Sequence, residues 1–371
     1  MKIAVIGWEL PPAFSGGLGI HTLNLYSIIG KVAEVDIYIP KVSLLYHTYP
    51  FHVIFVPLGG DVSVENYGLG IPDFNSAVME YNEKVVQTFV KDGVDVIHCH
   101  DWITFKAGIE LKERYGIPLV VTVHSTEVDR SGNFYPQKWI MDIEEEGMKK
   151  ADHIIAVSNY TKRLIMDTYK IPGEKITTVH NGLGKHFFFL PPKDYDLSGQ
   201  ILYFGRVTMQ KGPKFFIEAA KKVVAKMKEV RFIIAGTGEQ VGEMRTLSKE
   251  LSIEKNVLFT GFVDLNQAIH YYRISDAFVL PAVSEPFGIT VLEAMSSGTP
   301  AIISKTTGVG ESLKNVLKTD FWDTDLISDY IIGVLKYRSL RKTLGSIGQI
   351  EAKRFTWENA ALQTMEVYSA L

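Results

Sequence analysis

The chain has 371 residues, 46% hydrophobic and 22% charged, which describes an ordinary globular protein too long for one hydrophobic core, so two domains are expected. A net charge of −3 gives no reason to expect nucleic acid or an anionic membrane as the main partner. The single cysteine, Cys99, excludes an intramolecular disulfide and suits a reducing, cytoplasmic setting.

Residues 3–6 form an apolar run too short for a secretory signal, and it reads as a first buried strand. No stretch approaches the length of a membrane-spanning helix. Short β-branched runs then alternate with longer helical patterns, as βα units on a parallel sheet do. Strands are expected over residues 2–6, 35–39, 52–56, 94–99, 118–123, 153–157 and 175–179, with helices over 20–31, 75–91, 104–115 and 140–150. Residues 187–199 carry Pro191, Pro192, several turn formers and Gly199, and read as a linker. The scheme repeats with strands over 200–204, 230–235, 257–260, 277–280 and 301–304, and helices over 213–227, 241–251, 265–274 and 289–297. After Glu311 the pattern is helical to the end, broken near Phe355, with Thr356 expected to cap a last helix. A first domain over residues 1–190 and a second over 200–355 follow.

Several strand ends carry chemistry. After the first strand, Gly16, Gly17 and Gly19 stand immediately before a helix, where backbone N–H groups can approach a phosphate or a hydroxyl closely. This is not a dinucleotide fingerprint, because Gly7 is followed by Trp8 and Glu9 and the other glycines come nine residues later. His98, Cys99, His100 and Asp101 end another strand. Alternation puts His98 and His100 on one face, and no further histidine follows at ligand spacing, so no metal is expected there. His124 ends the strand after that, at the sheet edge where doubly wound folds bind ligands, and residues 129–132 form a lip beside it.

In the second half, Arg206 and Lys211 follow a strand and precede a helix, placing two cations where a leaving diphosphate needs them. Gly236 and Gly238 lie in the next loop, where backbone groups can meet a diphosphate or a base. The strand over 277–280 runs into a loop closed by Pro286 and Gly288, and the helix after it stops at Gly298 before Pro300. Glu285 lies in that loop and Glu293 in the first turns of the helix, beside the N–H groups around Phe287, Gly288 and Ile289. Carboxylates accept hydroxyl hydrogen bonds and N–H groups bind phosphate, so the unit suits a sugar nucleotide. The triplets Asp194-Tyr195-Asp196 and Asp323-Thr324-Asp325 do not end strands, so they read as surface and not as metal holders. The lysines of residues 215–230 could face a membrane, but such helices more often cover a sheet, and membrane association is not favoured.

Together these strings resemble the retaining group 1 glycosyltransferases, which include sucrose-phosphate and actinobacterial glycogen synthases. The resemblance covers nearly the whole chain. It is most specific at the E-x7-E pair Glu285 and Glu293 and at the Arg206–Lys211 loop. It implies an α/β GT-B fold, two Rossmann-like doubly wound domains facing across a cleft, with residues 356–371 crossing back to the first, acceptor-binding domain. The nucleotide sugar would lie mainly on the second. By resemblance, Glu285 touches the donor sugar, Glu293 holds the ribose, His124 reaches the sugar's O6 hydroxyl, and His98 and Asp101 line the acceptor or donor-sugar site. Gly16 and Gly17 would close over the donor phosphates. No cofactor is implied. Trp8-Glu9 with Pro11-Pro12, and His124-Ser125-Thr126-Glu127, look most like transferases building α-glucan from a UDP- or ADP-glucose donor. A glycolipid or mannosyl transferase, a UDP-N-acetylhexosamine epimerase and a non-catalytic binding protein stay open. Two positions depart from the family pattern: Gly184 stands where an aspartate is usual, and Val309 where a second glycine is.

Overall fold

A computed structural model describes residues 1–12, 16–41, 48–59, 74–132 and 134–371. The chain divides into two compact units. The first comprises Met1–Glu127, Gln137–Gly182 and Trp357–Leu371, and the second Val128–Pro136 and Leu183–Thr356.

The strands of the first unit are runs of Val, Ile and Leu with almost no alternation, as a sheet covered on both faces requires. They are β1 (Lys2–Ile6), β2 (Glu34–Pro40), β3 (His52–Val56), β4 (Val96–His100), β5 (Leu119–Val123), β6 (His153–Ala156) and β7 (Ile176–Thr178). All pair in parallel, in the order β3-β2-β1-β4-β5-β6-β7. The order reverses between β1 and β4, so the chain leaving those two strands diverges and opens a crevice at their C-terminal ends. The glycine loop, Asp101 and His124 all emerge at that edge. The last helix, Trp357–Ser369, belongs to this unit: Trp357, Ala360, Ala361, Val367 and Tyr368 pack with Ile3, Val5, Leu25 and Ile37.

The second unit holds β8 (Gln200–Phe204), β9 (Arg231–Ala235), β10 (Val257–Gly261), β11 (Ala277–Leu280), β12 (Ala301–Ser304) and β13 (Leu317–Thr319). They too pair in parallel, in the order β10-β9-β8-β11-β12-β13, and the switch falls between β8 and β11. The Arg206–Lys211 loop follows β8 and the Glu285 loop follows β11. Helix Pro213–Lys226 buries Phe216, Ile217, Ala219, Ala220 and Val223 on this sheet, and Lys222 and Lys226 pair with Asp325 and Asp329. Its basic face therefore serves an internal helix contact. Asp323 caps helix Thr324–Lys336 by accepting from the Leu326 N–H.

Three expectations change. The region after Glu311 is not helical throughout, because Leu317–Thr319 adds an edge strand too short to show alternation. The chain passes between units at Gly182–Leu183, earlier than residue 190. The proline-rich stretch is held within the second unit. Lys193 Nζ donates to Thr299 Oγ1 at 2.7 Å and to the Ser275 carbonyl, and the Gly199 N–H donates to Asp276 at 2.7 Å. Among the described residues, no helix is long and apolar enough to cross a membrane.

Candidate active site

Two polar constellations stand at the two switch points, and each is built by its own unit.

In the first, Gly16 caps helix Gly17–Ile29 in an extended conformation, and the Gly19 N–H donates to Glu9 Oε2 at 3.0 Å. A Cβ at Gly17 would meet nothing within 4 Å among the described residues, so packing does not dictate glycine there. Residues 13–15, part of the same loop, lie outside the described residues. Asp101 occupies φ 58° and ψ 168°, a region that costs a non-glycine residue about 1–3 kcal/mol. Its carboxylate faces the next strand end, where the backbone N–H groups of His124 and Ser125 donate to Oδ1 at 2.6 and 3.3 Å. Asp101 therefore fixes the loop that carries His124.

The imidazoles around it form one buried cluster. His124 Nε2 and His100 Nδ1 are 3.0 Å apart, and His100 Nε2 lies 2.7 Å from the Tyr26 hydroxyl. His98 is fully buried. Its Nδ1 meets the Tyr368 hydroxyl at 2.5 Å and the Tyr26 hydroxyl at 2.9 Å, and its Nε2 meets Thr122 Oγ1 at 2.7 Å. With both nitrogens engaged by the protein, His98 supports the site and offers nothing to a ligand, which corrects the sequence reading. Burial holds all these rings neutral: His21 is lowered to about 4 and His98 to about 3, and His100 and His124 lie well below the usual range.

His21 escaped the sequence argument. It comes from the glycine-loop helix, its Nδ1 contacts Asn181 Oδ1 at 2.8 Å, and its ring stands edge-on to His124 at 4.4 Å. His21, His100 and His124 bring one nitrogen each within 4.8 Å of one another, and His100 Nδ1 and His124 Nε2 are taken up by their mutual contact at 3.0 Å. Spacing along one strand could not reveal this grouping, since the three histidines come from a helix and two different strand ends.

In the second unit, two glycines let the loops interlock. Gly212, at φ 66°, lies so close to the Pro281 carbonyl that a Cβ would sit 1.9 Å from its oxygen, and Gly236, at φ 142°, meets the Gly205 carbonyl in the same way. The Val207 N–H donates to the Thr237 carbonyl at 2.8 Å, and the Val283 N–H to the Gln210 carbonyl at 2.9 Å. Gly238 likewise abuts the Val207 carbonyl. Close backbone approach thus accounts for Gly236 and Gly238 without a ligand.

On this frame Lys211 Nζ forms an ion pair with Glu285 Oε2, both side chains largely buried. Arg206 is exposed and makes no ion pair among the described residues. The Glu285 loop is pinned by its N–H to the Thr306 carbonyl at 3.0 Å, and by the Gly308 and Val309 N–H groups to the Glu285 and Phe287 carbonyls at 2.8 and 2.7 Å. Val309, the departure from the family pattern, is fully buried, so its side chain fills core here. Phe287 is buried as well, and packs edge-on to Phe355. Gly288, at φ 104°, starts helix Ile289–Ser296. Within that helix Glu293 accepts from the Tyr272 hydroxyl at 2.9 Å. The residue keeps some exposure, but its carboxyl group is desolvated, and burial raises it to about 7 against the opposing pull of that hydrogen bond. Ser284, one residue before Glu285, donates to the buried carboxylate of Asp129. Asp129 belongs to the segment 128–136, so the stretch read as a lip is anchored.

Residues 192–350 match the model for glycosyl transferases group 1, and residues 15–184 that for glycosyltransferase family 4. An uncharacterized glycosyltransferase of Methanocaldococcus jannaschii is 30% identical, over 99% of this chain and 98% of its own. The chain belongs to the group 1 glycosyltransferases. A glycogen synthase of Mycobacterium tuberculosis is 23% identical over 100% of this chain and 95% of its own. The HepE protein of Anabaena, solved in complex with UDP-glucose, superposes with a TM-score of 0.78 at 20% identity and covers 100% of each chain. With the two parallel sheets, that likeness assigns this glycosyltransferase the GT-B fold.

Proposed function

We propose that this glycosyltransferase moves a hexose, glucose first among the choices, from a nucleoside diphosphate sugar to a carbohydrate acceptor in the cytoplasm, with retention of anomeric configuration. The observation that carries the reading is the Lys211–Glu285 pair at the β8/β11 switch point, with the exposed Arg206 on the same loop as the lysine. A carboxylate suited to sugar hydroxyls and an ammonium suited to a diphosphate meet where open α/β sheets bind ligands. Glu285 orients the donor sugar, Lys211 and Arg206 take up the charge of the departing diphosphate, Glu293 holds the ribose, and His124 contacts the sugar.

Among the described residues no carboxylate stands out as a nucleophile on the sugar, so the proposed route is front-face. As the bond from the anomeric carbon to the phosphate oxygen breaks, that oxygen accepts the proton of the acceptor hydroxyl, and the acceptor oxygen bonds to the anomeric carbon on the same face. The two cations need not move during this step, which is where electrostatic preorganisation contributes most. A glucan acceptor is favoured by the likeness to a protein named glycogen synthase.

The test is nucleoside diphosphate release from a panel of UDP-, ADP- and GDP-sugars, with and without glycogen or maltooligosaccharide. Release from UDP- or ADP-glucose that rises with added glucan is expected. Release indifferent to glucan would overturn the acceptor, and binding of every donor without release would overturn the transferase reading.

A further inference from the structure

The histidine cluster of the first unit determines which nitrogen of His124 carries the proton. The contacts that fix it begin at Tyr368 on the last helix and run through side chains alone. Burial pushes the Tyr26 and Tyr368 phenols up, so each keeps one proton to donate. Both hydroxyls contact Nδ1 of His98, Tyr368 at 2.5 Å and Tyr26 at 2.9 Å. An unprotonated Nδ1 has one in-plane lone pair, and the shorter contact claims it, so Tyr368 donates there and the proton of Tyr26 points elsewhere. A protonated Nδ1 has no lone pair to accept with, which again leaves the Tyr26 proton unused there. Two acceptors are then left to Tyr26, the Tyr368 oxygen and Nε2 of His100 at 2.7 Å, and the imidazole nitrogen, the more basic of the two, takes the proton.

The rest follows from one proton per neutral ring. His100 accepts at Nε2, so its proton is on Nδ1, and that N–H donates to His124 Nε2 at 3.0 Å. His124 accepts at Nε2, so its own proton is on Nδ1. That nitrogen has no hydrogen-bond partner among the described residues, and His124 is only partly buried where His98 and His100 are fully so.

We propose that Tyr368, His98, Tyr26 and His100 form a tautomer relay that holds His124 as an Nδ1–H donor, and that Tyr26 and His100 are positioning residues acting through it. His124 then gives a hydrogen bond to a ligand oxygen and cannot take a proton at Nδ1. A sugar oxygen with a free lone pair is accepted, and a group that must lose a proton to this ring is refused. This ligand-facing consequence rests on the reading of His124 as a sugar contact; the tautomer itself does not.

Two measurements separate those parts. In protein labelled with ¹⁵N-histidine, long-range ¹H–¹⁵N spectra at neutral pH are expected to show His124 protonated at Nδ1, the signal being assigned through its loss in His124→Gln. Tyr26→Phe keeps the ring and its packing but removes the proton, and is expected to move His124 toward the Nε2–H form. Protonation of His124 at Nε2 in the parent, or an unchanged tautomer in Tyr26→Phe, would overturn the relay. In the release assay the same variant should lose roughly tenfold or more in kcat with KM little changed, as misplacing the proton on an oriented histidine does elsewhere. A tautomer change with unchanged turnover would leave the relay standing and remove the role given to His124.

Discussion

The two switch points carry opposite chemistry. In the first unit the side chains that meet the His124 ring are neutral: burial suppresses the charge of four imidazoles, and hydroxyls join them in a hydrogen-bonded chain. In the second, a lysine and a glutamate pair directly, an arginine is exposed, and a second glutamate is desolvated. Neutral donors and acceptors suit hydroxyls, and fixed cations suit a diphosphate. One strand topology thus serves two tasks through the side chains at its strand ends.

Breaking the charged side should have the largest effect on turnover. Arg206→Ala and Lys211→Ala are each expected to lower kcat on the order of 10²–10³, the cost of removing one preorganised partner of a developing anion. Near-normal release from either variant would remove the leaving-group role.

The glycines sharpen the contrast. Gly236→Ala forces a side chain into the Gly205 carbonyl at a positive φ, and should destabilise the protein by about 1–3 kcal/mol or more in urea titration. Gly17→Ala meets no neighbour among the described residues and should leave stability unchanged or raise it by about 0.4–1 kcal/mol. If its activity nevertheless falls, the open space above Gly17 belongs to the ligand. Loss of stability at Gly17 would show that packing demands the glycine.

A smaller effect comes from Glu293. Its folded-state pKa of about 7 lies above the ordinary carboxyl value, so folding favours the protonated form. The stabilisation is complete below the ordinary value and is lost as pH rises through about 7. Glu293→Gln should therefore gain stability relative to the parent above pH 7, with the advantage shrinking toward pH 4. A tenfold change in proton affinity is worth about 1.4 kcal/mol, so the gain is a few kcal/mol at most. Urea midpoints at pH 5 and pH 8 measure it, and an identical pH dependence in both proteins would contradict the desolvated carboxyl.

The second unit is far more legible in the sequence than the first. Lys211, Glu285 and Glu293 sit in short strand–loop–helix strings, where spacing along the chain sets spacing in space. The loss of alternation in buried parallel strands likewise makes the sheets readable from Val and Ile runs. The relay cannot be read that way, because His98 and Tyr368 are separated by 270 residues. Tyr26 looks like one more apolar-face residue of its helix. His98 reads as a ligand contact because alternation tells which face a residue is on, not which partners fill that face. Val309 shows the limit of motif spacing: the buried valine keeps the backbone bond to Phe287.

The most direct test of retaining transfer follows the anomeric protons by ¹H NMR during a reaction with UDP- or ADP-glucose and maltooligosaccharide. The account predicts a new α-linked anomeric signal that grows as the donor's α signal declines, with no β-linked product at any time. A β-linked product, or donor consumption that yields only free glucose, would contradict it.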